Sequence, residues 1–227
     1  MDGLNELFSQ YDILGAFWMT IKLTLASAVG ALLIGTFFAV MRVSPVPFLR
    51  VVGTGYVNII RNTPLTLIVA FCALGFYNTM QLSPFPKTAP LELHNFFWGI
   101  VALSVYHGTF VTEAIRSGIN TVPQGQAEAA RAIGLDFGAT LREVVLPQAF
   151  RGAIAPLGNT LIALTKNTTV LATIGVAEAS YVMKGMIEFN ANLLMLIFGI
   201  MAFGFVVLTL PVGMLFTQLS RRLAVQR

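Results

Sequence analysis

Four consecutive polar residues, Lys166, Asn167, Thr168 and Thr169, stand in a long apolar stretch and offer an ammonium, an amide and two hydroxyls. Such a set can hold both ends of a zwitterion, the carboxylate through the cation and hydroxyls and the amine through the amide carbonyl. Lys166 follows Arg151 by 15 residues, about 22 Å along a helix. In a membrane-spanning helix that is near the bilayer midplane, where an ammonium costs several kcal/mol unless it faces a wet cavity or a partner. Two arrangements meet that cost: a polar route through the membrane, or pairing with carbonyls or a helix C-terminus. The donors and acceptors around Lys166 favour the route.

The other polar candidates suit positioning more than bond-making. Glu113 and Arg116 have the spacing of a local ion pair on one helix face. Arg61, Asn62, Thr63 and Pro64 form a polar, turn-prone step at the start of an apolar window, suited to a gate or to an interfacial anchor. His94 and His107 show no metal-ligand spacing, and His107, beside Tyr106, reads as a packed polar group. Cys72 has no second cysteine to pair with and reads as a packed or lipid-facing thiol. No Ser-His-Asp set or carboxylate pair presents itself, and no catalytic residue is assigned.

These residues belong to a chain of 227 that is 56% hydrophobic and 11% charged, too greasy for a soluble globule of this size. The reading is an all-α, polytopic membrane protein, because its apolar windows reach the roughly 20 residues that cross hydrocarbon. The five windows run from about Leu14 to Met41, Asn58 to Met80, Phe96 to Ile115, Gly152 to Ala179 and Leu193 to Leu219. Lys22, inside the first, can snorkel to the nearer interface. The N-terminal segment carries Asp2, Glu6 and Asp12 and lacks the basic run of a cleaved secretory signal.

Loop charges give an orientation. Arg42, Arg50, Arg61, Arg116, Arg131, Arg142, Arg151, Arg221, Arg222 and Arg227 collect on one side, against Lys87 and Lys184 on the other. By the positive-inside bias the N-terminus is expected outside and the C-terminus in the cytoplasm. The net charge of +4 is then an orientation signal, not a nucleic-acid footprint.

The loop expected on the cytoplasmic side, about residues 117 to 150, reads as two short helices. In the first, Pro123 suits an opening turn and Gly134 a left-handed C-cap. In the second, Asp136 is the expected N-cap, Phe137, Leu141, Val144 and Val145 share one face, and Pro147 ends the run. Such a pair either lies on the membrane surface as a connector or meets another protein.

The stretch EAARAIGLDFGATLREVVLP resembles the signature loop of permease subunits of bacterial ATP-binding-cassette importers: E-A-A, three residues, G, nine residues, I, any residue, L-P. Glu128, Ala129, Ala130, Gly134, Leu146 and Pro147 match in place, and Val144 replaces the usual isoleucine. RNTPLTLIVAFC (61 to 72), TEAIRSGINTVPQGQAEAARAIG (112 to 134) and LPQAFRGAIAPLGNTLIALTKNTTV (146 to 170) are similar to the polar amino-acid branch, so the likeness covers nearly the whole chain.

The resemblance implies a type I importer permease fold, one transmembrane domain over 1–227, in a bacterial cytoplasmic membrane. It further implies that the loop is a coupling helix docking on a separate ATPase, present in two copies. The other implied partners are a second permease subunit, homologous or identical, and an extracytoplasmic solute-binding protein. The chain lacks a G-x-x-x-x-G-K-[ST] phosphate loop, so no enzymatic activity or cofactor is expected in it; ATP and Mg belong to the ATPase. Glu128 can meet a basic residue there or pair with Arg131. In this branch the segment K-[DN]-[TS]-[TS] lines the translocation route, and an acid often follows the lysine. Asn167 occupies that position, which favours glutamate, aspartate or glutamine over a cationic amino acid. An ion-coupled secondary transporter using Lys166 and Glu113 is the alternative, but no internal repeat supports it.

Overall fold

The structure, a computed structural model, describes residues 2–223. Arg227, counted above with the tail charges, lies outside the described residues. Every regular element described is helical: α1 (Asp2–Gln10), α2 (Ile13–Val43), α3 (Pro47–Arg61), α4 (Leu65–Ala70, prolonged by π-helical Phe71–Thr79), α5 (Leu91–Ile119), α6 (Gln124–Ala132), α7 (Phe137–Ala139, prolonged by π-helical Thr140–Val145), α8 (Leu146–Asn167, prolonged by 3-10 Thr168–Ile174), α9 (Ala179–Phe189) and α10 (Leu194–Leu223).

At the centre α5 packs along α2 on one side and α8 on the other. The face α2 buries carries Thr20, Thr24, Ser27, Ala31, Gly35 and Ala39, recurring every three or four residues, and such small side chains let helix backbones approach closely. A Cβ on Gly35 would overlap Val111, and one on Gly30 would overlap Ser104. Hydroxyls complete the seam: Ser104 Oγ donates to the Ser27 carbonyl at 3.3 Å and Thr112 Oγ1 to that of Gly35 at 3.1 Å. On the other side, a Cβ on Gly118 would fall on the Ala149 carbonyl oxygen of α8. Above these crossings Leu23, Leu65, Val69, Leu103 and Leu171 form one apolar core.

The distribution of polarity is inverted relative to a soluble protein. Thr20, Ser27, His107, Thr112 and Glu178 are buried, while Leu33 on α2 is 70% exposed, and Met195 and Phe203 on α10 are 82% and 70% exposed. That belt suits hydrocarbon. Ile13–Val43 and Ala191–Leu223 are each long and apolar enough to cross a membrane. Two bent pairs, Pro47–Arg61 with Leu65–Thr79 at 100° and Phe137–Ile174 with Ala179–Phe189 at 56°, raise the number to four if each counts as one crossing. Not among them is α5, which holds two histidines and several hydroxyl residues inside the bundle instead of facing lipid.

Several expected boundaries need correction. The second window is not one helix from Asn58 to Met80: α3 ends at Arg61 and α4 starts at Leu65 across the 100° bend. Thr63, preceding Pro64, is disfavoured in the α region, which stops α3 there. The fourth window begins earlier, at Leu146, and ends at Ile174, where Gly175 turns left-handed at φ 79°. Fully buried Glu178 then starts α9, accepting from the Ser180 and Tyr181 amides at 3.0 and 2.9 Å. The third helix also outruns the 96–115 window at both ends.

The contact between Gly118 and the Ala149 backbone cannot be relieved by a side-chain rotation. Gly118→Ala is expected to destabilise the protein by about 1–3 kcal/mol, seen as earlier thermal unfolding in detergent. Gly185→Ala, at a glycine with nothing within 4 Å of its added Cβ, should unfold no earlier than the parent.

Candidate functional site

Two regions collect the sequence candidates: the loop between α5 and α8, and a polar patch where the same two helices face each other deeper in the bundle.

In the loop, α6 stops at a Schellman motif. Gly134 adopts φ 94°, its amide bonds the Arg131 carbonyl at 3.0 Å, and the Leu135 amide bonds that of Ala130 at 3.1 Å. Asp136 then caps α7, its Oδ1 accepting from the Ala139 amide at 2.7 Å. Both caps were legible in the sequence. Pro147 does not end the second helix, as had been expected. The chain widens into the π-helical Thr140–Val145 and continues as α8, with Pro147 in its first turn. A π-bulge absorbs the lost amide and crowded carbonyl that proline imposes within a helix.

The signature residues divide by burial. Glu128, Ala129, Gly134 and Pro147 are exposed, Ala130 is buried, and Leu146 is half-buried against the core of Ile115 and Leu164. The exposed face also presents Ile133, an apolar side chain 81% exposed. The Glu128–Arg131 pair is not formed: Arg131 Nε donates to the Ala127 carbonyl at 3.3 Å, and Glu128 has no ion pair among the described residues. Gln148 Nε2 reaches Gln126 Oε1 at 2.5 Å and fastens α6 to the start of α8. Behind α6 and α7 lies a cavity of about 510 Å³ extending to Val43 and Ile119, the C-terminal ends of α2 and α5.

Deeper in the bundle, the four residues of the KNTT segment separate. Lys166 is exposed and its ammonium makes no hydrogen bond or ion pair among the described residues. Thr168 is fully buried, its hydroxyl spent on the Thr165 carbonyl at 2.8 Å, and Thr169 bonds the Lys166 carbonyl at 2.7 Å. Of the four, Asn167 lines a cavity of about 200 Å³, shared with His107, Phe110, Asn159 and Thr160. Asn167, Ala163 and Asn159 recur every four residues along α8, while His107 and Phe110 are one turn apart on α5, so two helical faces converge.

Asn167 Nδ2 lies 3.2 Å from His107 Nε2, and the histidine is 1% exposed. An amide nitrogen only donates, so Nε2 accepts and the imidazole proton sits on Nδ1, which has no partner. His107 is therefore packed, as read from the sequence, and also lines the cavity. Asn159, whose four-residue spacing to Ala163 and Asn167 is visible in the sequence, and its neighbour Thr160 are additions that only the facing helix picks out.

The step at 61–64 forms the elbow between α3 and α4. Asn62 and Thr63 bond the Asn58 and Ile59 carbonyls at 2.7 and 2.8 Å, closing the last turn of α3, and Pro64 precedes α4. Arg61 instead sets its guanidinium 5.3 Å from the centroid of the ring of Phe110, a residue of the cavity lining. Nearby, Glu113 pairs with Arg116 at 2.9 Å, as its spacing predicted, and also with Arg42 of α2. No metal cluster is present among the described residues.

Residues 31–225 match the family model described as "Binding-protein-dependent transport system inner membrane component". The glutamate transport system permease protein GluC of Corynebacterium glutamicum is 54% identical over 218 residues, covering 95% of this chain and 96% of the relative. The probable glutamine ABC transporter permease protein GlnM of Bacillus subtilis is 33% identical over 220 residues, 97% of this chain and 96% of the relative. A crystal structure of an amino acid ABC transporter with histidines superposes with a TM-score of 0.80 at 28% identity, covering 96% of this chain and 97% of that one. An inward-facing structure of the MetNI methionine ABC transporter shares the fold, at a TM-score of 0.73 and 19% identity. With the capped loop and the helical body on which it is mounted, these likenesses establish that the chain belongs to the family of binding-protein-dependent transport system inner membrane components, the permease subunits of ATP-binding-cassette importers.

Proposed function

We propose that this permease carries glutamate, in one domain spanning the whole chain, with five membrane crossings, the N-terminus outside and the C-terminus in the cytoplasm. The observation that carries the substrate reading is the Asn167–His107 pair in the α5–α8 cavity, whose lining holds two side-chain amides and an imidazole and no carboxylate. A cationic amino acid would find no counter-charge there, whereas an anionic one meets no repulsion and has Arg61 at the edge of the cavity. The 54% identity to a glutamate permease supports the same substrate.

Five crossings follow when α5 is added to the two long helices and the two bent pairs, because a helix sheltered by α2 and α8 can cross with histidines and hydroxyls inside. That count puts the arginine-rich connections and the exposed face of α6 on one side, consistent with a cytoplasmic coupling loop. On this reading Glu128, Ala129, Gly134 and exposed Ile133 meet an ATPase, Ala130 and Leu146 hold the loop to the body, and Pro147 sets the α7–α8 junction. Two ATPase copies supply the ATP and Mg chemistry, and a second permease and an external binding protein complete the assembly. Lys166 and Asn167 form the polar route, with Thr168 and Thr169 shaping its backbone. The elbow Arg61, Asn62, Thr63 and Pro64 is the gate, with Arg61 its moving charge. An ion-coupled carrier is disfavoured because Glu113 is already held by two arginines.

Replacing the Glu128 to Gly134 segment with a flexible linker is expected to abolish ATP-dependent uptake and to release the ATPase during purification, with membrane insertion unchanged; uptake without any ATPase subunit would overturn the reading. Asn167→Asp should lower labelled glutamate uptake by more than about tenfold, since like charges brought together cost several kcal/mol, and should raise relative uptake of arginine. Lys166→Ala should impair transport while the complex still assembles, and unaltered uptake kinetics would remove Lys166 from the route.

A further inference from the structure

A second polar cavity lies far from the first along α5. The segment between α4 and α5 folds back over the start of α5, enclosing about 200 Å³ lined by Tyr77, Asn78, Gln81, Ser83, Lys87 and His94, with Phe85 closing one wall. Its parts are anchored. Trp98 Nε1 donates to the Leu82 carbonyl at 3.0 Å, the Phe85 amide to Ser83 Oγ at 3.1 Å, and the Tyr77 ring stacks on the His94 ring at 4.3 Å. Gln81 is held at φ 54°, the left-handed region that a non-glycine residue rarely occupies, and its side-chain oxygen accepts from the Lys87 ammonium.

The protonation pattern identifies what this cavity lacks. His94 is fully buried, its Nδ1 is 2.7 Å from Ser83 Oγ, and its Nε2 has no partner. Ser83 Oγ already accepts from Phe85, and its own proton has no acceptor among the described residues other than His94 Nδ1. With the hydroxyl donating to Nδ1, the imidazole proton rests on Nε2. A buried N–H without an acceptor costs about 1–3 kcal/mol, so the site is short of an acceptor. Around it stand a lysine ammonium and two side-chain amides, with no carboxylate in the lining. The aromatic walls of Tyr77 and Phe85 suit a short aliphatic chain.

We infer that this cavity is a second binding site for a small carboxylate, the side-chain or main-chain carboxylate of an acidic amino acid, held by Lys87, Gln81 and His94 at the outer mouth of the permease. The inference rests on the proposed importer topology, which puts the α4–α5 segment outside the cell. It makes the outer surface a waiting site, where an acidic solute is retained as it leaves the binding protein and before the α5–α8 cavity opens to it.

The test uses the complete transporter in intact cells. In a Cys72→Ser background, Asn78→Cys places one thiol in the cavity lining and Met80→Cys places a control thiol outside it. A membrane-impermeant maleimide should label both. L-glutamate near saturation should slow labelling at position 78 by about tenfold and leave position 80 unchanged, while L-lysine should protect neither. Adding Lys87→Met should remove the protection at position 78 with the permease still inserted, as judged by unchanged labelling at position 80. Labelling that glutamate does not slow, or protection that survives Lys87→Met, would overturn the site. Labelling only in inverted membranes would instead overturn the topology, and the site with it.

Discussion

The close approach of α5 to α2 and α8 is the constraint on which the rest of the molecule depends. Lipid supplies no hydrophobic drive for one apolar helix to prefer another, so the bundle is held by backbone proximity and hydrogen bonds between helices. Gly30 and Gly35 on α2 and Gly108 and Gly118 on α5 leave no room for a Cβ, and Ser104 and Thr112 bond α2 carbonyls across the seam. Widening either crossing would separate the faces that form the α5–α8 cavity. It would also unseat the C-terminal end of α5 from the loop that carries α6 and α7.

The same two helices connect the cavity to the loop. From the Asp136 cap the chain runs through α7 and the π-helical segment into α8, reaching Asn167 without a break in the helix. The loop and the Asn167 end of α8 are thereby joined by continuous helical backbone. Near the C-terminal ends of α2 and α5, Arg42 and Arg116 converge on Glu113 and tie the two helices together. Pairing the Glu113 carboxylate with two guanidiniums lets it sit half-buried where a lone charge would be costly.

Buried polarity is what separates the functional interior from the surface. Glu178 satisfies the first amides of α9, Asn95 Nδ2 bonds the Ile174 carbonyl at 2.6 Å, and Asn190 Nδ2 bonds the Tyr11 hydroxyl at 3.0 Å, so each polar group closes a helix end or a turn. His94 and His107 differ: each keeps one ring nitrogen buried and unpaired, and each lines a cavity. Among the described residues, theirs are the buried side-chain nitrogens left without a partner.

Local chemistry sufficed for much of this protein. The helical, membrane-embedded character followed from apolar windows, the Gly134 and Asp136 caps from residues whose backbone preferences act within one turn, and the Glu113–Arg116 pair from helical spacing. The family was legible because the loop motif is contiguous in sequence. What the sequence could not disclose depends on which helix faces which. The 100° elbow at Asn62–Pro64, the passage of α8 through Pro147, and the distinction between Asn167 in the cavity and Thr168 in the core are settled by packing across the bundle. So are the contact of Arg42 with Glu113, 71 residues away, and the meeting of His107 with Asn167, 60 residues away. Periodicity assigns a residue to a face of its own helix; only the tertiary structure decides what that face meets, because helix packing is fixed by shape complementarity between distant segments.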